Sequence, residues 1–483
     1  MKNLFKKVCL LTTVAALTMA NASCSKKAEN EENLKLVWYV TSSGKDIDHD
    51  KVMTEFNKKL KEKYGMELDL YPITSGEFGS KMQVLNASHD EYDLCYVNGL
   101  NSYYKNIRNG AYYDITELLP KYAPKTYKRL SEDVWKAATY EDRIYAVPNW
   151  QIMARSDCLV LNKEWLDKTN TNPDNINNFD DVEKFLEKAV EINPKANKIT
   201  FGKFRFRYFG YCDIYSETGV GMLKVKDFES NGAPKVVNQY ESEEFKQQIQ
   251  MARRWVEKGL LYDTYTPDNS GAGARGESPI GFQNTYKPGL SGILTDNNGY
   301  EVVAKQFSPA TLTTTNIMAT ATAVGANSKH PEKAVEMIEI INNDKELYNM
   351  LSRGLEDVHY KKVSDNVIET INNDYGYYEW AFGDVRNSFV MTNQDEDVWE
   401  QTAQMNDTAI PSPLLGLAID TTPIATEIAD CGTVLNQKLS MLTSGLTDPE
   451  TGIPELIDAL KVAGSDRIIA ELQRQIDEWW AKK

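Results

Sequence analysis

Between Leu34 and Ile73 the spacing of apolar residues changes twice, and this stretch restricts the possible folds more than any other part of the chain. Leu34 to Val40 (LKLVWYV) is a run of aliphatic, β-branched and aromatic residues that stops at the polar Thr41-Ser42-Ser43-Gly44. From Asp48 to Lys63 the apolar residues Val52, Met53, Phe56 and Leu60 recur at helical spacing, and Tyr64-Gly65 ends that pattern before Met66 to Ile73 reads as strand again. Strand, helix and strand in sequence define a β-α-β unit and therefore predict an α/β fold built on a parallel sheet. Ligands of such sheets bind beyond the carboxyl ends of the strands, so the loops Thr41 to Lys45 and Asn98 to Ser102 are expected to line a site.

The rest of the chain is too long for one such core. With 483 residues, two lobes are expected. Asp142 to Gln151 closes the first segment with a strand and Pro148, and Leu159 to Asn162 begins a new strand followed by helical patterns at Asp180 to Ile192 and Ser242 to Lys258. Ala319 to Ala326 reads as a strand returning to the first lobe, with a helix from His330 to Asn342 and Pro331 near its start. These boundaries predict lobe one over residues 35–146 and 290–345, and lobe two over 152–285 and 346–483. The last part, from about 370, carries the extended segment Thr408 to Gly416 and two amphipathic helices, Glu455 to Ala463 and Asp466 to Trp480.

The amino terminus reads as an export signal. Lys2, Lys6 and Lys7 precede an apolar run from Val8 to Ala20 that is too short to span a bilayer comfortably, and small residues lead to Cys24. This matches a bacterial lipoprotein box over residues 1–23, with Cys24 as the lipidated first residue, although Asn21 stands where the box usually has an aliphatic residue. A plain cleaved signal with a nearby cysteine is the alternative. Residues 24–34 are polar and without period, as a tether would be. Removing residues 1–23 takes away three lysines and no carboxylate, which moves the formal charge from −16 to −19. So acidic a surface disfavours nucleic acid and anionic membranes as partners.

Metal and redox chemistry find little support. Cys95, Cys158, Cys212 and Cys431 are scattered with no C-x-x-C pair, which argues against structural zinc or a disulfide framework, while one disulfide stays open. His49, His89, His330 and His359 show no ligand spacing. Asp46 to Asp50 resembles the start of a calcium loop, but Lys51 and Asn57 replace the Gly and Glu it needs, so these residues read as acids at a helix N-terminus. Gly271 to Gly276 matches G-x-G-x-x-G by letter but follows no strand. No cofactor and no metal are expected.

Several stretches together resemble the family 1 extracellular solute-binding lipoproteins of ABC importers, in the branch related to LipO. They are Cys24, Trp38-Tyr39, Asp93-Leu94-Cys95, Ile144 to Gln151, Tyr286-Lys287-Pro288-Gly289 and Ala323 to Ala334. Pro413 to Asp420, Thr426 to Ala429, Asp448-Pro449 and Ala463 to Gln475 resemble a C-terminal module of that branch. The resemblance implies a hinged, two-lobed type II clamp with a helical C-terminal extension, lipid-anchored on the extracytoplasmic face of the cell membrane. It also implies a monomer that hands a carbohydrate, often an oligosaccharide, to permease subunits without catalysis. Phe201 to Val225, with Phe204, Phe206, Tyr208, Phe209 and Tyr211, departs from the family pattern. A surface glycan-binding or sensing lipoprotein and a glycoside hydrolase with paired carboxylates remain as alternatives.

Sugar recognition needs flat aromatic faces and planar polar side chains. Trp38, Trp150 and Trp380 lie beside polar or glycine-containing loops and are the stacking candidates, with burial in the core as the competing reading. Trp135, Trp165, Trp255, Trp399 and Trp479-Trp480 sit at helical spacing and read as core. Thr41, Asn98, Asn101, Gln151 and Arg155 could supply directed polar contacts, Tyr208 a further aromatic face, and Glu356 a carboxylate for hydroxyls or a solvated surface charge.

Overall fold

The structure, a computed structural model, describes residues 34–197, 206–214, 219–261 and 276–483. The export segment, Cys24, the tether up to Asn33, Phe204 and the glycine-rich loop before Gly276 lie outside the described residues.

The β-α-β opening forms as expected. Strands Leu34–Ser42 and Met66–Thr74 pair in parallel along their whole length, and helix His49–Tyr64 between them buries Val52, Met53, Phe56 and Leu60. Gly65 stops that helix in the left-handed conformation, its N–H donating to the Lys61 carbonyl, a conformation that costs glycine nothing. Strand Leu94–Asn98 joins in parallel on the other side of Leu34–Ser42. The sheet is completed by Thr320–Val324, antiparallel to both Leu94–Asn98 and Ala146–Pro148.

A second, three-stranded antiparallel sheet has Cys158–Asn162 at its centre, between Ile280–Gln283 and Val302–Gln306. Its core is separate, gathering Leu159, Leu161, Trp165, Phe185, Leu186 and Trp255. The chain therefore returns to the first sheet only after Gln306, not at 290 as the boundary 290–345 required, because Val302–Gln306 pairs with Cys158–Asn162. Nor does everything after 346 join the second lobe. Helix Lys345–Arg353 packs on the opening helix, with Lys63 paired to Asp344 and Glu346, and the segment after it stays on the same side.

Three helices, Ala425–Thr443, Pro449–Val462 and Ser465–Trp480, close the chain; the first two lean on Glu243–Glu257 of the second lobe and the third packs on them. The contact is close at Gly445, where an added Cβ would meet the Ala252 carbonyl at 2.4 Å and the backbone is left-handed at φ 74°. Gln473 fixes the other end by accepting from Val236 N at 2.8 Å and donating to the Pro234 carbonyl. Cys95, Cys158, Cys212 and Cys431 are all buried and free, so none of these four forms a disulfide. No helix of the described residues is long and apolar enough to cross a membrane.

The second lobe is tied together by one buried carboxylate. Glu183 accepts from Trp255 Nε1 at 2.7 Å, Arg254 Nη2 at 2.7 Å and Lys258 Nζ at 2.6 Å. Burial works to raise its pKa, but these three donors outweigh burial and hold the carboxyl down to about 2. Ionised Glu183 therefore stabilises the fold fully above the ordinary glutamate value of 4.5, and that contribution is lost as pH falls toward about 2. Glu183→Gln is expected to lower stability near neutral pH by about 1.5 to 3 kcal/mol. Denaturant melts should show the gap to wild type narrowing as pH drops through that window.

Candidate functional site

Three segments cross between the lobes, side by side. Arg155 exchanges two backbone hydrogen bonds with Thr311, at 2.8 and 2.9 Å, and Thr311–Leu312 pairs in parallel with Ile410–Pro411. The first crossing is pinned by a side chain rather than by a strand. Asn406 Oδ1 accepts from Met153 N and Ala154 N at 2.8 and 2.9 Å, while its Nδ2 donates to the Gln151 carbonyl at 2.8 Å.

Beside this crossing lies a cavity of about 290 Å³ between the lobes, near the lower end of ordinary ligand pockets. Its first-lobe wall is Tyr377, Tyr378, Glu379 and Trp380, hung from the sheet by Thr320 Oγ1 donating to the Trp380 carbonyl at 2.8 Å. Tyr348 Oη, on helix Lys345–Arg353, holds the Glu379 carbonyl at 2.7 Å. The opposite wall is helix Leu290–Asn298, bound to the second sheet through Ser291 and Thr295. Helix Val398–Asp407 adds Trp399 and Thr402. Helix Leu290–Asn298 meets the segment that follows Val390–Met391 at Gly292, where any Cβ would fall 2.1 Å from the Asn393 carbonyl oxygen, so only glycine allows this approach.

Inside, Trp380 and Tyr378 stack with ring centroids 4.6 Å apart and planes 19° from parallel, an aromatic platform at the edge of the cavity. The polar groups around it are Gln151, Lys287, Asn297, Asn393 and Gln394, with two ion-paired or hydrogen-bonded carboxylates. Glu379 pairs with Arg353, and Asp296 accepts from Asn393 Nδ2. Burial, and secondarily the nearby Arg353, push the Lys287 ammonium below the ordinary lysine range.

Of the residues singled out in the sequence, Trp380 and Gln151 line this cleft. Trp38 does not. It is 1% exposed, its ring edge-on to Phe382 at 6.2 Å inside the first core. Trp150 is also buried, with the Arg386 guanidinium 4.0 Å over its ring. Their faces are spent on packing, so neither offers a stacking surface. Thr41 is buried and shares a hydrogen bond with Ser75, and Arg155 sits on the crossing itself. Tyr208 packs edge-on against Phe179, Phe282 and Phe307 in the second lobe, and Phe206 and Tyr211 are buried near it. Glu356 is exposed and pairs with Lys362. Asn98 ends its strand opposite Thr320 and Asn101 lies in helix Gly99–Arg108, but their side chains lie outside the described residues.

Trp399, read as core from its helical spacing, is a cleft residue instead. Tyr377, Tyr378, Lys287 and Arg353 were not singled out as site residues; the dense aromatic run Tyr375 to Trp380 was the available signal for the first two. A larger cavity, about 490 Å³, lies wholly in the first lobe between helices Ser75–Ala87 and Gly99–Arg108, over Tyr96. The smaller cleft is the better candidate because both lobes build it and because it adjoins the crossing, where hinge closure can bury a ligand.

Two lobes, three crossings and a cleft between them make this the type II solute-binding fold, a hinged α/β clamp. Its tail, residues 413–481, matches the family described as Domain of unknown function (DUF3502). A carbohydrate ABC transporter substrate-binding protein of Streptococcus pneumoniae is 26% identical, with 100% of each chain covered. Among solved structures, the N-glycan transport solute binding protein NgtS of the same organism superposes with a TM-score of 0.79 at 24% identity, covering 93% of this chain and 100% of that one. NgtS in complex with Man1GlcNAc gives a TM-score of 0.71, also at 24% identity, over 92% and 99% of the two chains. The family match is confined to the tail, while the likeness to the carbohydrate transporter component and to the NgtS fold runs along nearly the whole chain.

Buried as they are, Trp38 and Trp150 act on stability. Trp38→Ala and Trp150→Ala are each expected to cost about 3 to 5 kcal/mol in chemical denaturation. A wild-type midpoint for either variant would contradict the packing described.

Proposed function

We propose that the protein is the extracytoplasmic solute-binding component of an ABC-type importer, and that it captures a carbohydrate, of oligosaccharide size, between its lobes for delivery to permease subunits. The observation that carries this reading is the Tyr378–Trp380 platform facing a cleft whose remaining lining is rich in amides. Flat aromatic faces take the C–H surface of a sugar ring, and amide groups both donate to and accept from hydroxyls. The named relatives support the same class of ligand, since one is described as a carbohydrate transporter component and another was solved with a mannose-containing glycan.

Binding without chemistry is the simpler use of this site. A glycoside hydrolase needs one carboxyl free to donate a proton and another free to act as base or nucleophile. Glu379 is committed to Arg353, which leaves Asp296, an acceptor for the Asn393 amide, without a second carboxyl to work with on the cleft lining. For the amino terminus, the reading is a lipid anchor at Cys24 that holds a monomeric protein to the outer face of the membrane through the polar tether.

Two measurements test this. Calorimetric titration of the mature chain with neutral oligosaccharides of the mannose and N-acetylglucosamine type should give saturable binding with the ligand recovered intact, and Trp380→Ala should weaken it by about 1 to 3 kcal/mol. Failure of every oligosaccharide to bind, or cleavage of a bound one, would sink the reading. In cells, Cys24→Ser should move the protein from the membrane fraction to the medium, whereas unchanged fractionation would exclude the anchor.

A further inference from the structure

Lys287 brings a charge into the cleft that the described residues do not answer. It follows Tyr286, whose N–H is held by the Ser156 carbonyl at the lobe crossing, and precedes the Pro288-Gly289 turn into helix Leu290–Asn298. The side chain lines the cavity but makes no ion pair and no hydrogen bond among the described residues. The charged group that acts on it is Arg353, a second cation on the same cavity lining. Of the two carboxylates on the lining, Glu379 is paired with Arg353, while Asp296 is turned to the neutral Asn393 amide and makes no ion pair with Lys287.

This arrangement is costly by itself. Lys287 is half-buried, so its ammonium loses part of its hydration with no counter-charge in contact to replace it, and a neighbouring guanidinium adds repulsion. Neutral hydroxyls alone would be served as well by a glutamine at no such cost. The chain carries a formal charge of −16, so carboxylates are abundant, yet none is placed against this lysine. A compact ammonium with three donors suits a point-like anion that arrives with the ligand.

We infer that the cleft takes a glycan bearing an anionic substituent, a carboxylate or a sulfate ester, and that Lys287 pairs with that group. The inference rests on the carbohydrate reading and narrows its ligand class. Tyr378 and Trp380 would carry the ring, while Lys287 on the same cavity lining selects the charge. Arg353 is held by Glu379 and so is not free to take the ligand's anion in place of Lys287.

The test uses the mature chain and three probes that differ at one position: a neutral oligosaccharide, the same sugar with one primary alcohol oxidised to a carboxylate, and its O-sulfated form. Titrations at low salt should show at least one charged probe bound more tightly than the neutral one by about tenfold or more, the scale of one charge-assisted hydrogen bond. Whichever charged probe is preferred identifies the group. Lys287→Met should erase the preference and Lys287→Arg should keep it, and added salt should weaken only the charged probe. Lys287→Met should also melt at or above the wild-type temperature, because it removes an uncompensated charge; Lys287→Gln serves as the second neutral variant. Equal affinity for all three probes, or a preference that survives in both neutral variants, overturns the inference and leaves carbohydrate binding standing. Binding of none overturns both.

Discussion

The arrangement around the cleft depends on one buried carboxylate, Asp384. It is 1% exposed and receives Arg386 through both Nε and Nη2, at 2.9 and 2.7 Å, with Arg129 Nη1 at 3.4 Å. On either side of it the backbone clasps the first crossing, since Trp150 N donates to the Gly383 carbonyl and Val385 N donates to the Trp150 carbonyl. A late segment of the chain is thereby sewn onto the first sheet, and Arg386 lies over Trp150 as part of the same knot. Removing the carboxylate would leave two partly exposed guanidinium groups facing each other without their shared, buried counter-charge, which is more damaging than losing a fully exposed pair. Tyr377 to Trp380, immediately upstream, have their position because this knot holds.

How much of this was legible in the sequence varied with the distance over which the information acts. The opening sheet was readable because a change from period 2 to period 3.6 and back is local, and Gly65 marked the helix end. The partner of Val302–Gln306 was not, since a short apolar strand looks the same whichever sheet receives it. The misjudged Trp38 had a local signal after all. Leu36, Trp38 and Val40 alternate along the first strand and share its buried face, which outweighed the polar loop that follows. Trp150 is covered by Arg386, a residue far away in sequence, and no local pattern announces that. Trp380 was recoverable because it lies just before the glycine-containing loop at Gly383 and Asp384. Lys287 was not, because a single lysine beside a proline carries no sign of what will surround it.

The tail shows both sides of this. Its last two helices were visible as amphipathic segments, yet where the tail docks depends on Gly445 meeting Ala252 and on Gln473 reaching Pro234 and Val236, contacts between residues roughly two hundred positions apart. The same tail supplies a crossing segment, Ile410–Pro411, and one flank of the cleft. It is thus continuous with the clamp and cannot be treated as an appendage to it.

Asn406 and two cleft residues share a helix, and their spacing matters mechanically. Trp399, Thr402 and Asn406 follow one another at intervals of three and four residues, which places them along one face of Val398–Asp407. Trp399 and Thr402 border the cavity, while the Asn406 amide grips the backbone of the first crossing at three points. At 1.5 Å of rise per residue the two ends are only about 10 Å apart on a stiff rod. A load applied at Trp399 therefore arrives at the pivot undiminished. The side chains that border the cavity and the side chain that clamps the crossing belong to one rigid segment.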